Sequence, residues 1–531
     1  MINRVKRFFG YRIYRQQQNK RIRTLSDAIN RAAPQIEGEA PVLIFNASTR
    51  IIGLSQNAAF SLLSNWALKL QGVPTIQLVC RAGMQPCVLG TELSNPAKKP
   101  PCEKCMKLSD SVYANNSVIN LQPEPIDLPE LQDQSIEALA QFSHQGFPAG
   151  EIVLPSLRWI LRRHHLSDNE NTRDLFKRYI QSAVSFYGKF EEILEKEKPQ
   201  AVLVFNGMFF PEATLKWAAR KRDIKVISHE VALRPMTAFF TPGEATAYPI
   251  DLSEERELTE EQDAQLDAYL ADRMKGDFSM AGIRFWPEMK GLDEVLLQRF
   301  TQYVGVIPVF TNVIFDTSQG HANVLFSTMF EWLDSVADLI HNYPDHLFII
   351  RAHPDEVRPG KASQESVAAW FADRHLDDLP NVLFVPAEET FSSYEMIQRA
   401  KFVMVYNSTI GLEASIVGAA VVCAGKARFT QIESVYFPKN RMAYDEFVQS
   451  LLSMEEVTPP QSHQKNARKF LYVQLFETSL PMDAFLENDP YLAGYTGIKE
   501  LSVEDLTDNH AEVLDIITNG ILEGKPFLWQ K

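Results

Sequence analysis

The sequence predicts an α/β fold made of two parallel-sheet halves, and three observations lead to it. Short, wholly apolar runs alternate with longer stretches of helical periodicity. Polar turns rich in Asn, Ser, His and Arg follow several of the apolar runs, at strand ends where α/β proteins hold their ligands. The chain has 531 residues, too many for one ordinary core and enough for two domains with appendages.

In the first half, residues 41–45 and 74–80 read as strands flanking a helix over 55–70. Ala59, Leu62, Leu63, Trp66, Leu68 and Leu70 give that helix an apolar face. A helix over 174–196 leads into the strand Ala201-Val-Leu-Val-Phe205, a helix after Pro211 and a strand over 224–229. Asn206-Gly207 and His229-Glu230 fall at strand ends, so they are expected to line a cleft. Residues 241–300 read as linker plus insertion, with an acidic helical stretch over 253–273 and the aromatic Phe285-Trp286-Pro287.

The second half is more regular, with strands expected over 303–310, 346–351, 381–385 and 401–406 and helices over 324–341, 364–372, 391–399 and 410–417. Right-handed crossovers would bring all its strand ends to one side. The expected organisation is a basic arm (1–24), an N-terminal domain (25–240) with a Cys-rich loop (80–105), the 241–300 linker, a C-terminal domain (301–455) and a helical tail (456–531). That tail is expected to pack back across the halves.

The most informative stretch begins at Tyr406-Asn-Ser-Thr-Ile-Gly-Leu-Glu-Ala414. A strand ends there, Asn407-Ser408-Thr409 supplies the cap of a following helix, and small residues at Gly411, Ala414 and Gly418 permit close packing. The free N–H groups at such a helix start attract phosphate, and Glu413 about one turn in is placed to accept ribose hydroxyls. An ordinary capped helix is the simpler alternative. Two strands earlier, Arg351-Ala-His353-Pro354 offers a guanidinium and an imidazole at the same sheet edge, which makes a phosphate site the better reading.

Arg351-Ala-His-Pro354, Asn407-Ser-Thr-Ile-Gly-Leu-Glu-Ala414 and the small-residue strand ending in Gly425 together resemble the capsule polysaccharide biosynthesis proteins. These include the Kdo-transferase type and related GT-B glycosyltransferases. Thr311-Asn-Val-Ile-Phe-Asp316 is similar to the segment opening the C-terminal half of such enzymes. The resemblance spans roughly residues 199 to 430, and the chain departs from it at Lys426-Ala-Arg428-Phe429, where a Gly- or Pro-rich aromatic turn is usual. It implies an α/β, GT-B-like fold, with two Rossmann-like parallel-sheet domains facing a cleft and a helical C-terminal tail. It also implies a nucleotide-sugar donor, with CMP-activated Kdo as the family's example, and a glycan or glycolipid acceptor.

On that plan the donor phosphate would lie near Arg351, His353, Asn407, Ser408 and Thr409, with the ribose at Glu413. Positive charge there offsets the leaving phosphate without a catalytic metal, and no Asp-x-Asp motif stands where a metal-dependent plan needs one. Glu230 with His229 is the expected base, or nucleophile if configuration is retained, and Asp316 is a further acid on the same cleft. A capping or ion-paired surface role remains open for both acids. A nucleotide-sugar 2-epimerase and a non-catalytic component of a polysaccharide assembly or export complex are the other function classes.

Composition agrees with a soluble globular chain, 45% hydrophobic and 23% charged, and no apolar run reaches bilayer-spanning length. A net charge of −14 argues against a general nucleic-acid binder, so a cytoplasmic protein without nucleic-acid partners is expected. The first 24 residues reverse that charge, with Arg4, Lys6, Arg7, Arg12, Arg15, Lys20, Arg21 and Arg23 and no acid. Such an arm suits peripheral attachment at the inner face of the plasma membrane, or simple packing on the acidic body.

Four of the five cysteines, Cys80, Cys87, Cys102 and Cys105, lie within 26 residues, whereas Cys423 sits in an apolar strand. In a reducing compartment this clustering favours a structural zinc held by four thiolates, with unliganded thiols and disulfides or a cluster as alternatives. A full set of four thiolates leaves no open coordination position, so no catalytic cofactor is expected there.

Overall fold

The computed structural model describes every residue except 1, 35, 37, 48–52, 85, 93–94, 96–97, 254, 275–278, 281–282, 285–289, 360–361, 509–510 and 530–531. Phe285-Trp286-Pro287 therefore lies outside the described residues, as do the side chains of Arg4 and Lys6. A long helix, α1 (Ile2–Ala32), precedes the first sheet. The first half then runs β1 (Val42–Phe45), β2 (Leu54–Ser55), α2 (Gln56–Leu70), β3 (Thr75–Cys80), α3 (Cys102–Val112), β4 (Val118–Leu121), α4 (Glu170–Glu197), β5 (Ala201–Phe205), α5 (Phe210–Lys221), β6 (Lys225–Val231) and β7 (Thr237–Thr241). Strands β1 and β5 are buried at every position, which is why they read as continuous apolar runs. Ser55 starts α2 by accepting the Ala58 N–H, and Asn169 starts α4 by accepting that of Thr172.

The second half runs α6 (Glu260–Met274), β8 (Gly305–Phe310), α7 (Met329–Asn342), β9 (His346–Arg351), β10 (Val382–Val385), β11 (Val403–Val405), α8 (Ile410–Ile416), β12 (Val421–Cys423) and α9 (Gln461–Tyr472). The tail adds β13 (Leu480–Pro481), β14 (Leu486–Asn488), β15 (Tyr495–Ile498) and α10 (Ala511–Glu523).

Both large sheets are doubly wound. The first has the order β13-β7-β6-β5-β1-β3-β4, parallel from β6 to β4, with β7 and β13 antiparallel at one edge. The second is all parallel, in the order β10-β9-β8-β11-β12. In each sheet the strand order reverses beside the first strand, between β5 and β1 in one and between β8 and β11 in the other. Crevices open at such switch points, and ligands bind outside the carboxyl ends of the strands there. This is the two-sheet plan expected from the sequence.

Two segments sit differently from the sequence reading. The 241–300 stretch, read as linker plus insertion, contributes α6 to the second half, where Leu266 and Leu270 pack with Ile416, Ala467 and Phe470. The tail is not purely helical. After α9 packs beside α8, the chain crosses back, adds β13 to the first sheet, pairs β15 with β2 and lays α10 against α2. Leu514, Ile517 and Ile521 share one core with Leu62, Leu63 and Trp66.

The basic arm is helical and held along one side. Ile22, Leu25 and Ile29 are buried in that same core, Arg21 pairs with Glu487 at 2.8 Å, and Arg7 donates to the Tyr491 carbonyl at 3.1 Å. Phe9 and Ile13 remain more than half exposed. No helix among the described residues is long and apolar enough to cross a membrane.

Because α10 completes the first core, Ile517→Ala should destabilise the protein by about 2–5 kcal/mol, as much as Leu63→Ala on α2. Urea unfolding followed by tryptophan fluorescence would measure both. An effect under about 0.5 kcal/mol at Ile517 would show that the tail is dispensable to that core.

Candidate functional site

Between the sheets lies a cleft of about 970 Å³, lined from both halves. Each wall is built from residues at the carboxyl ends of the strands, some of them at a switch point.

On the first wall, Asn206 follows β5 with φ of 58°, a left-handed conformation that asparagine tolerates, and Gly207 continues the turn at φ of 76°. Asn206 donates its side-chain N–H to Glu230 Oε2 at 2.7 Å, and Asn57, in the first turn of α2, donates to Oε1 at 2.8 Å. The Val231 N–H adds a third donor at 2.9 Å. A carboxylate accepting this many hydrogen bonds is fixed in place, and Glu230 lines the cleft.

His229 does not join it there. It is fully buried, its Nε2 meets Ser61 Oγ at 2.9 Å, and its Nδ1 meets Asn57 Oδ1 at 3.3 Å. The geometry fixes the tautomer. A carboxylate only accepts, so the NH₂ of Asn57 faces Glu230, its oxygen faces His229, and Nδ1 carries the proton. Burial lowers the imidazole pKa to about 3, so the ring stays neutral. His229, expected as the catalytic neighbour of Glu230, instead positions Asn57, because adjacent strand residues point to opposite faces of the sheet.

The second wall gathers Asn312, Asp316, His321, His353, Arg358, Asn407, Ser408, Thr409, Lys426 and Arg428. Asn312 and Asn407 leave neighbouring strands at the switch point and join side chain to side chain at 2.7 Å, with Gln319 also donating to Asn407 at 3.3 Å. His353 Nδ1 accepts the Asp355 N–H at 3.1 Å, which leaves Nε2 as the ring's N–H donor. Burial holds the His353 pKa below the ordinary imidazole value, opposed by the nearby Asp355 and Asp316 charges and reinforced by Arg351. Asp316 accepts from Ser318 Oγ at 2.6 Å and lines the cleft, while Ser318 rather than Asp316 stands at the N-cap position of the following short helix, without a side-chain capping bond.

Three further residues depart from expectation. Thr409 caps α8 by position only, with helical φ and ψ and no side-chain capping bond. Arg351 is buried, donates to the Glu389 carbonyl at 3.2 Å and does not line the cleft. Burial lowers its pKa to about 10, and it acts on His353 from behind. Glu413, expected at the ribose, is 4% exposed and also absent from the cleft wall. Its carboxylate is held by Arg273 of α6 at 2.6 Å and by the Tyr394 hydroxyl. Four residues beyond Thr409, Glu413 lies a full turn deeper along α8, away from the strand ends, where Arg273 of α6 and Tyr394 meet it.

Sequence reasoning passed over Asn57, Asn312, His321, Lys426 and Arg428. The last two were the departure from the family pattern, and they bring positive charge to the cleft beside Ser408 and Thr409. Arg428 is stacked over the Tyr248 ring at 3.9 Å, which fixes its guanidinium. His321 reaches across to Thr246 Oγ1 at 3.0 Å and ties the second wall to residues beside the first. A separate contact joins the halves where Glu365 accepts the N–H groups of His164 and His165 at 2.6 and 3.0 Å.

The four clustered cysteines lie off this cleft, around a small cavity of about 30 Å³. Among the described residues, no group of three or more His, Cys, Asp or Glu already stands arranged as metal ligands.

Two doubly wound halves facing a polar cleft define a GT-B-like α/β protein. Residues 309–432 match the family described as capsule polysaccharide biosynthesis protein, and every second-wall residue named above falls inside that stretch. The His-Pro and Asn-Ser-Thr segments both fall inside that match, which covers the later part of the 199–430 span over which the resemblance was read. Solved structures similar to this chain include the beta Kdo 2,4 transferase of Thermosulfurimonas dismutans KpsC (15% identity, 59% of this chain and 87% of that one, TM-score 0.35). Its beta Kdo 2,7 transferase is also similar (16% identity, 53% and 80%, TM-score 0.27). So is the UDP-GlcNAc 2-epimerase of Neisseria meningitidis bound to UDP-GlcNAc (12% identity, 82% and 99%, TM-score 0.23). At such identities and TM-scores these likenesses assign no activity. Comparison with curated proteins gives no match.

Breaking a buried pair strands a charge, so Arg273→Ala should cost about 3–5 kcal/mol in chemical denaturation. Nucleotide affinity of the folded variant should stay within twofold. A large loss of affinity at unchanged stability would return Glu413 to the site.

Buried Glu212, on α5, accepts the Ala47 N–H at 2.8 Å and so braces the loop after β1. Burial raises its pKa from 4.5 to about 8. Across that window the unfolded carboxyl is ionised while the native one keeps its proton, so unfolding releases a proton and stability falls as pH rises. Glu212→Gln should flatten the fall, which denaturation midpoints at pH 5 and pH 8 would reveal.

Proposed function

We propose that this protein is a glycosyltransferase of capsular-type polysaccharide synthesis, moving a sugar from a nucleotide-sugar donor to a growing glycan or glycolipid. The observation that carries this reading is the opposition of the two walls. A carboxylate oriented by two asparagines, Glu230, faces across one cleft toward a cluster of phosphate-binding groups: His353, Ser408, Thr409, Lys426 and Arg428.

On this reading the donor lies along the second wall, with its phosphate at the His353 ring N–H, the two hydroxyls and the Lys426 and Arg428 cations. As the sugar–phosphate bond breaks, those groups offset the charge left on the departing nucleotide, and the transfer needs no metal for that purpose. The acceptor hydroxyl enters from the first wall and gives its proton to Glu230 while its oxygen attacks the anomeric carbon. Asp316, on the second wall, places a negative charge near the His353 ring. His229 acts only through Asn57.

The reading extends to location. The exposed Phe9 and Ile13, with Arg12, Lys20 and Arg23 on α1, suit the anionic inner face of a plasma membrane, where each nearby cation contributes about 1 kcal/mol. A cytoplasmic enzyme held there would meet a lipid-linked acceptor.

The carboxylates Glu230, Glu244 and Asp316 with His321 and His353 on one cleft also fit a nucleotide-sugar 2-epimerase. That enzyme would isomerise its donor with no acceptor present, whereas a transferase leaves it intact apart from slow hydrolysis.

Thermal shift against CMP-, UDP-, GDP- and ADP-sugars would identify the donor, since a ligand at 100 times its Kd stabilises the native state by about 2.7 kcal/mol. Glu230→Gln should retain that shift while lowering transfer by about 10² to 10⁴. His353→Ala should weaken the shift itself. Normal transfer in Glu230→Gln would remove the carboxylate from the chemistry, and no shift with any nucleotide would move the protein to the non-catalytic class.

A further inference from the structure

Cys80 ends β3, Cys87 lies in the loop beyond it, and Cys102 and Cys105 occupy the first turn of the eleven-residue helix α3. Although they come from three separate backbone stretches, all four line the same 30 Å³ cavity, together with Met84, Leu89, Pro100 and Pro101. The void is about the size of a single ion or water.

The backbone around the first two cysteines has a shared construction. Each heads a Cys-x-x-Gly turn, Cys80-Arg-Ala-Gly83 and Cys87-Val-Leu-Gly90. Burial pushes both thiols up, that of Cys87 to about 12, opposed by the backbone N–H groups of Ala82, Gly83 and Met84 at Cys80 and of Leu89 and Gly90 at Cys87. Ligation to a cation is what would make these sulfurs anionic, and the turn N–H groups would then stabilise the thiolates. The glycines are sterically required. A Cβ on Gly83 would stand 2.8 Å from Pro123 Cδ and 2.9 Å from the Leu121 carbonyl, and one on Gly90 would stand 2.8 Å from Pro100 Cβ. The second pair is a Cys-x-x-Cys at the start of α3, where the helix dipole also favours negative sulfur.

We infer that Cys80, Cys87, Cys102 and Cys105 form a four-thiolate structural metal site, with zinc as the ion. Two N–H-lined turns and one helix start supply four ligands around one void, and the sulfur donor set selects zinc among common divalent ions. The sulfurs are not yet arranged as a ligand set, so binding draws the cysteine side chains inward across the cavity. Four thiolates fill a tetrahedral ion, which makes the site structural. Its effect reaches the cleft through Leu89, whose side chain lines both cavities. The inference does not depend on the proposed reaction.

The test is elemental analysis of the full chain purified under reducing conditions, with cobalt substitution and thiol alkylation mapped by mass spectrometry. One zinc per chain is expected, along with the sulfur-to-cobalt charge-transfer and strong visible bands of a tetrahedral thiolate site. Alkylation of all four cysteines should be suppressed until a chelator is added. The Cys102→Ser/Cys105→Ser double variant should lose the metal. Because metal content and the cobalt spectrum are read on the unmodified chain, a variant that fails to fold does not shield the inference. Protein incubated with zinc that retains no metal and still alkylates at the four cysteines would overturn it, as would a disulfide among them or iron with inorganic sulfide.

Discussion

A parallel strand ends on the same sheet edge as its neighbours, and once its apolar residues are buried on both faces, polar residues can collect only at the ends. This constraint, applied twice, produces the cleft. The order of each sheet reverses beside its first strand, so two loops diverge at each switch point and leave a crevice. In the first sheet the crevice brings in Asn206. In the second it brings together Asn312 and Asn407, whose side-chain bond at 2.7 Å closes the floor between β8 and β11. Other wall residues come from strand ends to either side: Glu230 on β6, His353 after β9, and Lys426 and Arg428 after β12.

The way charge is handled differs between the walls. Glu230 is held by neutral donors, two amides and a backbone N–H. Behind it, His229 is kept neutral by burial and lends orientation only. Glu413 is the opposite case, because its partner Arg273 comes from another helix and satisfies it away from solvent. A carboxylate meant to take up a proton and one meant to hold two helices together thus receive different neighbours. That distinction is visible only once the partners are placed.

Much of the fold was legible because buried parallel strands announce themselves as continuous apolar runs. The runs at 201–205 and 346–351 coincide with β5 and β9. Glu230, Asp316, His353 and Asn407 to Thr409 were legible as strand-end residues for the same reason. What escaped was long-range. The direction of Glu413 depends on α6, more than 130 residues earlier, and Asn57 becomes meaningful only when α2 is set against β6. Lys426 and Arg428 carried a signal, two cations just past a strand end, but a departure from a family pattern drew attention away from their charge. The strands of the tail were missed because two- to four-residue strands are too short to show a period.

The crossing of the tail has a consequence for how the chain is made. The second half is contiguous in sequence, whereas the first is not: its edge strand at 480–481 and its packing helix at 511–523 follow the whole of the second half in the chain. At about 5–20 residues per second, the opening α/β layers wait for tens of seconds before those pieces emerge. During that interval β7 presents an unpaired edge and α2 an uncovered apolar face. The first half therefore completes its folding only after the second has been made, and its exposure to chaperones and proteases during translation is set by the length of chain that separates its parts.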